Sequence, residues 1–158
     1  MTPEPVRLDP VAVQRLAPET WRALIAISTA AKKSGLGDEL IELVKLRASL
    51  LNGCHYCIAM HTGISRGLGV SEQRIQAVEH WRDSDLFSPR ERAAFAWTDG
   101  LTHLAKGGVP NSVYREASEA FSETDLAALT SVVVSINAWN RIALAYGFQP
   151  ETEAGGRR

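Results

Sequence analysis

The chain has 158 residues, of which 45% are hydrophobic and 22% are charged, with a formal net charge of −1. This length and composition predict a single domain with its own apolar core. The near-neutral charge excludes a basic surface for nucleic acid, and no uninterrupted apolar run is long enough to predict a membrane helix. The first ten residues do not form an export signal, so we expect a cytoplasmic protein.

Helix start and stop signals recur along the chain, and no segment alternates with the period of a strand. The predicted fold class is therefore all-α, a single-domain bundle of six to seven helices. After a Pro-rich lead, the first helix is predicted at Pro18–Lys32, ending before two glycines. Asp38 is predicted to cap a second helix, which ends near residue 51 and carries apolar residues around most of its circumference. Asn52-Gly53 is predicted to end this second helix, and a third helix is expected to run from there to about residue 67.

Three serine caps follow the predicted third helix. Ser71 is predicted to begin a short helix to residue 80, and Ser88-Pro89-Arg90-Glu91 is a capping box that opens a helix to about residue 105. A further helix is expected over 111–121, and Ser122 is expected to cap a long apolar helix to residue 146. The lead and the polar tail from residue 149 are expected to be flexible, which leaves a core of about residues 15–148.

Both cysteines of the chain lie in Asn52-Gly53-Cys54-His55-Tyr56-Cys57, at the start of the predicted third helix. Residues three and four apart share a helical face, so Cys54, Cys57 and His61 are predicted to form one stripe. Unpaired N–H groups at a helix start favour a thiolate, most of all at Cys54. His61 is placed to take a proton from Cys57, as a base beside a nucleophile does.

Glu42 is a candidate to orient His61. If the chain folds back at Asn52-Gly53, a rise of about 1.5 Å per residue puts His61 roughly 13 Å after the break and Glu42 roughly 15 Å before it, level with each other. The result would be a relay from carboxylate to imidazole to thiol. In the competing interpretation, Glu42, Lys45 and Ser49 form a solvated polar stripe with an ion pair three residues apart.

Two other interpretations of the cysteine pair remain open at this point. The cysteines could be inert core residues, because free cysteine packs well. They could also bind zinc, but a structural site needs four ligands, and only three suitable groups are local. His55 points away from Cys54 on a helix, while His80 and His103 are expected on the surface. We predict no metal and no cofactor, and we interpret the four tryptophans as core or interface anchors: Trp21, Trp81, Trp97 and Trp139.

The chain resembles the AhpD-like alkylhydroperoxidase branch of the carboxymuconolactone decarboxylase superfamily over about residues 15–148. The pattern of that branch is a glutamate twelve residues before a C-x-x-C and a histidine four residues after it, which Glu42, Cys54, Cys57 and His61 match. The resemblance also covers three further segments: Glu42-Leu43-Val44-Lys45-Leu46-Arg47, Phe87-Ser88-Pro89-Arg90-Glu91-Arg92-Ala93-Ala94 and Ile136-Asn137-Ala138-Trp139-Asn140-Arg141.

This resemblance implies an AhpD-like helical fold and a thiol-dependent peroxidase. Cys57 would be the peroxidatic thiol and Cys54 the resolving one, with Glu42 and His61 as the proton relay. The implied partners are a hydroperoxide substrate and a dithiol reductant such as dihydrolipoamide or a thioredoxin-like protein. The implied assembly is a homo-oligomer, either a trimer or a hexamer built from smaller units.

One residue departs from the pattern. The alkylhydroperoxidase prototype has a histidine directly before the second cysteine, where this chain has Tyr56, and a neutral phenol is a weaker base. Tyr56 and the buried-helix residue Asn140 are candidates for supporting roles beside the thiols. The alternatives are a redox-sensing or general disulfide oxidoreductase without efficient peroxidase turnover, and a carboxymuconolactone decarboxylase-like lyase. The lyase branch does not depend on a C-x-x-C, so the cysteines argue against it.

Overall fold

The structure is a computed structural model that describes residues 5–150. Within that range, all regular secondary structure is helical, which confirms the predicted fold class. The elements are α1 (Pro10–Leu16), α2 (Pro18–Lys32), α3 (Asp38–Asn52), α4 (His55–Gly67), α5 (Glu72–Ala77), a 3₁₀ turn (Trp81–Asp83), α6 (Pro89–Thr102), α7 (Asn111–Ala120) and α8 (Glu123–Tyr146).

The N-terminal lead is the main departure from the predicted elements, because it contains helix α1. The Asp9 carboxylate accepts a hydrogen bond from the Ala12 N–H at 2.7 Å, and Pro10 occupies the first turn, so a local capping signal was present. Helix α5 ends at Ala77 instead of residue 80, and α6 ends at Thr102 instead of 105. Residues 1–4 and most of the predicted flexible tail, 151–158, lie outside the described range.

Helix α3 lies at the centre of the bundle. Its residues 40–49 are all buried, which confirms the prediction of a helix covered on most sides. Gly53 ends α3 in the left-handed conformation, at φ +66°, where a side chain would be strained. The chain reverses there, and α4 packs back along α3. This reversal positions the cysteine segment.

Helix α8 covers α3 on another side and also packs against α2 and α6. It begins at the predicted Ser122 cap, whose hydroxyl accepts from the Asp125 N–H at 3.1 Å. Within residues 5–150, α8 alone is long and apolar enough to cross a membrane, but half of its most apolar window is buried within the protein. Its apolar length is therefore accounted for largely by packing in the bundle.

Candidate active site

The two cysteines occupy different backbone positions at the start of α4. Cys54 is the N-cap, with φ −83° and ψ 88°, and so precedes the helix instead of belonging to its stripe. Its sulfur accepts the Cys57 backbone N–H at 3.4 Å, as a capping side chain does. Both residues are buried free thiols that pack against Ala143 of α8. The predicted stripe is therefore limited to Cys57 and His61 within the helix.

The two thiols differ in acidity. The hydrogen bond that the Cys57 thiol donates to Cys54 lowers the pKa of Cys54 to about 7, with further help from the Cys57 backbone N–H. The same hydrogen bond, together with burial, raises the pKa of Cys57. Cys54 is therefore the more acidic thiol of the pair, and it lies at the helix start, where the sequence favours a thiolate.

Glu42 on α3 meets His61 on α4. The Glu42 Oε2 atom lies 2.7 Å from His61 Nδ1, and its Oε1 accepts from Lys45 Nζ at 2.8 Å. Burial alone would raise the pKa of Glu42, but the hydrogen bonds from His61 and Lys45 outweigh it and lower that pKa to about 2. Because an ionised carboxylate can only accept, Nδ1 carries a proton and Nε2 is the basic nitrogen of neutral His61.

The polar stripe on α3 exists, but it is not solvated. Glu42 is 1% exposed, Lys45 7% and Ser49 0%, with the ion pair three residues apart. Helices α4 and α8 cover this side of α3, so the charges lie in the interior. The interpretation as a solvated surface stripe is therefore wrong.

A cavity of about 410 Å³ borders Cys57 and His61. Its volume falls in the range of about 300–1,000 Å³ that is usual for small-molecule sites. Trp21 and Trp139 pack edge to face on its wall, with ring centroids 4.7 Å apart. Tyr56 packs edge to face against Phe148, with ring centroids 5.6 Å apart. The other apolar lining residues come from α2, α4 and α8: Ile25, Met60, Ile64, Ile136 and Ala143. Two cations, Lys32 of α2 and Lys45 of α3, also border the cavity.

The other three histidines do not share the burial of the thiol pair and His61. His55, His80 and His103 are all exposed, and within residues 5–150 no three His, Cys, Asp or Glu side chains are grouped to hold a metal ion. Tyr56 lines the cavity next to Cys57, in the position where the prototype has a histidine. Asn140 is fully buried on α8, where its Nδ2 donates to Ser49 Oγ at 3.1 Å and its Oδ1 accepts from Asn52 Nδ2 at 2.9 Å. Tyr56 thus borders the cavity beside Cys57, and Asn140 joins α8 to α3.

Known proteins share this arrangement of helices. The model of the carboxymuconolactone decarboxylase family matches residues 18–100, and the chain belongs to this family. Its fold is that of the AhpD-like members. The uncharacterized protein YdfG of Bacillus subtilis is 34% identical over 87% of this chain and 93% of its own length.

Two solved structures show the same fold. ATU0492 of Agrobacterium tumefaciens, a protein of unknown function described as a candidate antioxidant defence protein AhpD, is 35% identical, with a TM-score of 0.87 over 94% of this chain and all of its own. An uncharacterized peroxidase-related protein of Ralstonia eutropha with an AhpD core has a TM-score of 0.77 over 90% of this chain and 76% of its own, at 23% identity. Family and fold support a peroxidase-related or decarboxylase-like function.

Two site features were not predicted from the sequence. The sequence predicts core or interface anchors for all four tryptophans. In the structure Trp81 and Trp97 are buried in the core, whereas Trp21 and Trp139 line the cavity. The pair comes from α2 and α8, so only the packed structure shows that they meet. Helix α3 ends at Asn52, as the sequence predicts, and the Asn52 side chain in addition donates to Asn137 and Asn140. A polar residue directly before a capping glycine was the available signal.

Proposed function

We propose that this protein is a thiol-dependent hydroperoxide reductase of the AhpD-like type. The observation that carries the proposal is the arrangement around Cys57, which borders a cavity together with His61, while Glu42 holds the other side of the imidazole at 2.7 Å. Cys54 lies against Cys57 as the second thiol. A nucleophile, a base, an orienting carboxylate and a resolving thiol are thus within one small region.

The first step begins at Cys57, the sulfur that faces the cavity. His61 Nε2 accepts the Cys57 proton, either directly or through Cys54, with which Cys57 shares a hydrogen bond. The Cys57 thiolate attacks the terminal oxygen of the hydroperoxide, forming an S–O bond as the O–O bond breaks. The proton on His61 neutralises the departing alkoxide. The products are an alcohol and Cys57 sulfenic acid.

The second step uses Cys54. Its thiolate attacks the Cys57 sulfur, an S–S bond forms, and the hydroxyl leaves as water after taking up a proton. Two electrons have then passed from the thiol pair to the peroxide. A dithiol such as dihydrolipoamide, or a thioredoxin-like protein, returns them by disulfide exchange. No metal or cofactor is required for this cycle.

The cavity supports an organic hydroperoxide as substrate. Its aromatic and aliphatic lining would gain contact with an alkyl or aryl group, which hydrogen peroxide lacks. Tyr56 occupies the place of the prototype's second histidine, and a phenol is a weaker base than an imidazole. We therefore assign proton transfer to His61 alone.

The test is peroxide consumption coupled to dihydrolipoamide, measured with cumene hydroperoxide. Cys57→Ser should abolish consumption, and Cys54→Ser should limit it to about one equivalent, because the sulfenic acid cannot be resolved. Ala59→Ser, at an exposed position on the same helix outside the cavity lining, is the matched control and should retain turnover. Full turnover by Cys57→Ser would contradict the assignment of the attacking thiol.

A general disulfide oxidoreductase or redox sensor is the second candidate, and Tyr56 favours it because the relay is shorter than in the prototype. In that case the wild type would exchange its disulfide with dihydrolipoamide but consume no more than stoichiometric peroxide. The two functions are separated by the number of equivalents consumed per thiol pair.

We also propose that the protein works in the cytoplasm as a homo-oligomer, either a trimer or a hexamer of smaller units. Apolar side chains beside the cavity support association: Ile25 is 47% exposed, Met60 43% and Ile64 37%. Sedimentation equilibrium tests this proposal, and a monomer at micromolar concentration would contradict it.

A further inference from the structure

The two lysines that border the cavity differ in whether the protein neutralises their charge. Lys45 on α3 is 7% exposed and donates to Glu42 Oε1 at 2.8 Å, while the other Glu42 oxygen is bound by His61. Lys32 lies in the last turn of α2 and is exposed, and it forms no ion pair with any residue of the described range, 5–150. The cavity therefore keeps one positive charge that the protein does not offset.

The spacing of residues along α2 places Lys32 on the cavity wall. Five residues of this helix line the cavity, and they recur every three or four positions, with Thr29 beside Ser28, so they form one helical face. The face is apolar at Trp21 and Ile25 and becomes polar toward Lys32. Along α2, the cavity thus has an apolar part and a polar end that carries a cation.

Helix α8 relates this polar end to the reactive thiol. Ala143 packs against Cys57, and one turn earlier on α8 the Trp139 indole N–H donates to Ser28 Oγ of α2 at 3.4 Å. Lys32 follows Ser28 by one further turn of α2. Two helical turns therefore lie between the level of Cys57 and the level of Lys32.

The direction of α2 carries Lys32 away from the thiol. Ala31 belongs to the core cluster that contains Val132 and Val133, so α2 passes from Trp139 toward the earlier turns of α8. At about 1.5 Å per residue, two turns separate the levels of the thiol and the lysine by roughly 12 Å. A ligand whose reacting group meets the thiol would place its opposite end near Lys32.

We propose that the cavity takes a hydroperoxide that carries a carboxylate at the end opposite the peroxide, and that Lys32 binds this carboxylate. An aryl or alkyl body would lie against the apolar wall, and the carboxylate would meet the unpaired ammonium. Small-molecule sites commonly combine a large apolar lining with a few polar groups that orient the ligand. The hydroperoxide part of this inference rests on the proposed function, whereas the preference for a carboxylate does not.

The test uses two unreactive ligands with the isopropylphenyl body of cumene hydroperoxide: 4-isopropylbenzoate and the neutral 4-isopropylbenzamide. Isothermal titration calorimetry on the full chain measures both dissociation constants. The wild type should bind the benzoate about two- to fivefold more tightly, as expected for an exposed ion pair, and added salt should reduce this preference. Lys32→Gln should remove the preference, and Lys32→Glu should reverse it.

Lys33→Gln is the matched control. Lys33 is the next residue along the chain and is also exposed at the end of α2, but it does not line the cavity. This variant loses the same charge and should keep the wild-type preference. Equal binding of the two ligands by the wild type, saturable binding of neither, or an equal loss of preference in the Lys33 variant would overturn the proposal.

Turnover separates this proposal from the proposed function. In the wild type, kcat/KM for 4-carboxycumene hydroperoxide should exceed that for cumene hydroperoxide, and in Lys32→Gln the two values should be equal. If the benzoate is preferred but neither hydroperoxide is consumed, the proposed function fails and the carboxylate site stands. If both hydroperoxides are consumed with equal efficiency by the wild type and the benzoate is not preferred, the carboxylate site fails alone.

Discussion

Helix α3 carries two buried polar clusters that face different neighbouring helices. Only one of the two clusters borders the cavity. On one side, Arg47 donates two hydrogen bonds to the Asp99 carboxylate, at 2.7 and 3.1 Å, and also donates to the carbonyls of Val78 and Glu79. On the other side, Glu42 binds Lys45 and His61. Both clusters pair a carboxylate with a cation inside the bundle.

The difference lies in what each cluster borders. The Arg47 guanidinium is hydrogen-bonded to Asp99 and to two backbone carbonyls. These hydrogen bonds connect α3 to α6 and to the segment before the 3₁₀ turn. His61 borders a cavity and stands one turn from Cys57, so a proton can move there. A buried ionic cluster thus indicates chemistry only when it reaches a nucleophile and an open space.

The largest expected effect that separates the two clusters is on peroxide turnover. His61→Asn removes the base but keeps a polar side chain of similar size, and it should lower kcat with cumene hydroperoxide by about 10²–10⁴-fold. His80→Asn, at an exposed histidine remote from the cavity, should retain the wild-type rate. Equal rates in the two variants would remove His61 from the mechanism.

The next effect is on stability. Arg47→Met removes the hydrogen bonds to the Val78 and Glu79 carbonyls and one of the two cations on Asp99, which keeps Arg82. The free energy of unfolding should therefore fall by about 2–4 kcal/mol. Urea denaturation measures this loss. The pH titration of the thiolates, followed by their ultraviolet absorbance, should not move, because this cluster does not reach the sulfurs. A shifted titration with little loss of stability would reverse the roles assigned to the two sides of α3.

The smallest effect is an acid dependence of the Glu42 cluster. The pKa of Glu42 is lowered from 4.5 to about 2 on folding, so its contribution to stability is present above about pH 5 and is lost as the pH falls toward 2. That contribution is about 3 kcal/mol by linkage. Glu42→Gln should flatten the fall of unfolding free energy between pH 5 and 2, and an unchanged slope would contradict the lowered pKa.

Local signals were enough to predict most of the helices. Three serine caps act through N–H groups close in sequence: Ser71, Ser88 and Ser122. Gly53 ends α3 through its own backbone conformation. Both kinds of signal can therefore be recognised without knowledge of the fold. The end of α6 could not be predicted, because no glycine or proline marks it and His103 simply leaves the helical conformation.

The site was only partly predictable for a different reason. Spacing alone suggested that Glu42 and His61 lie level, but whether Glu42 faces solvent depends on α8, which is distant in sequence. The cavity has the same origin, since Trp21 and Trp139 belong to helices at opposite ends of the chain. The direction of the Asn140 amide depends on Asn52, Ser49 and Asn137 together, a set that no local pattern specifies.

The most direct test of the central claim is a single-turnover reaction of the reduced protein with cumene hydroperoxide, followed by a free-thiol count and mass spectrometry. We predict that the wild type consumes one equivalent, loses both thiols and forms a Cys54–Cys57 disulfide. Cys54→Ser should accumulate sulfenic acid on Cys57. Retention of both thiols after exposure to peroxide, or oxidation of Cys54 at the wild-type rate in Cys57→Ser, would contradict the account.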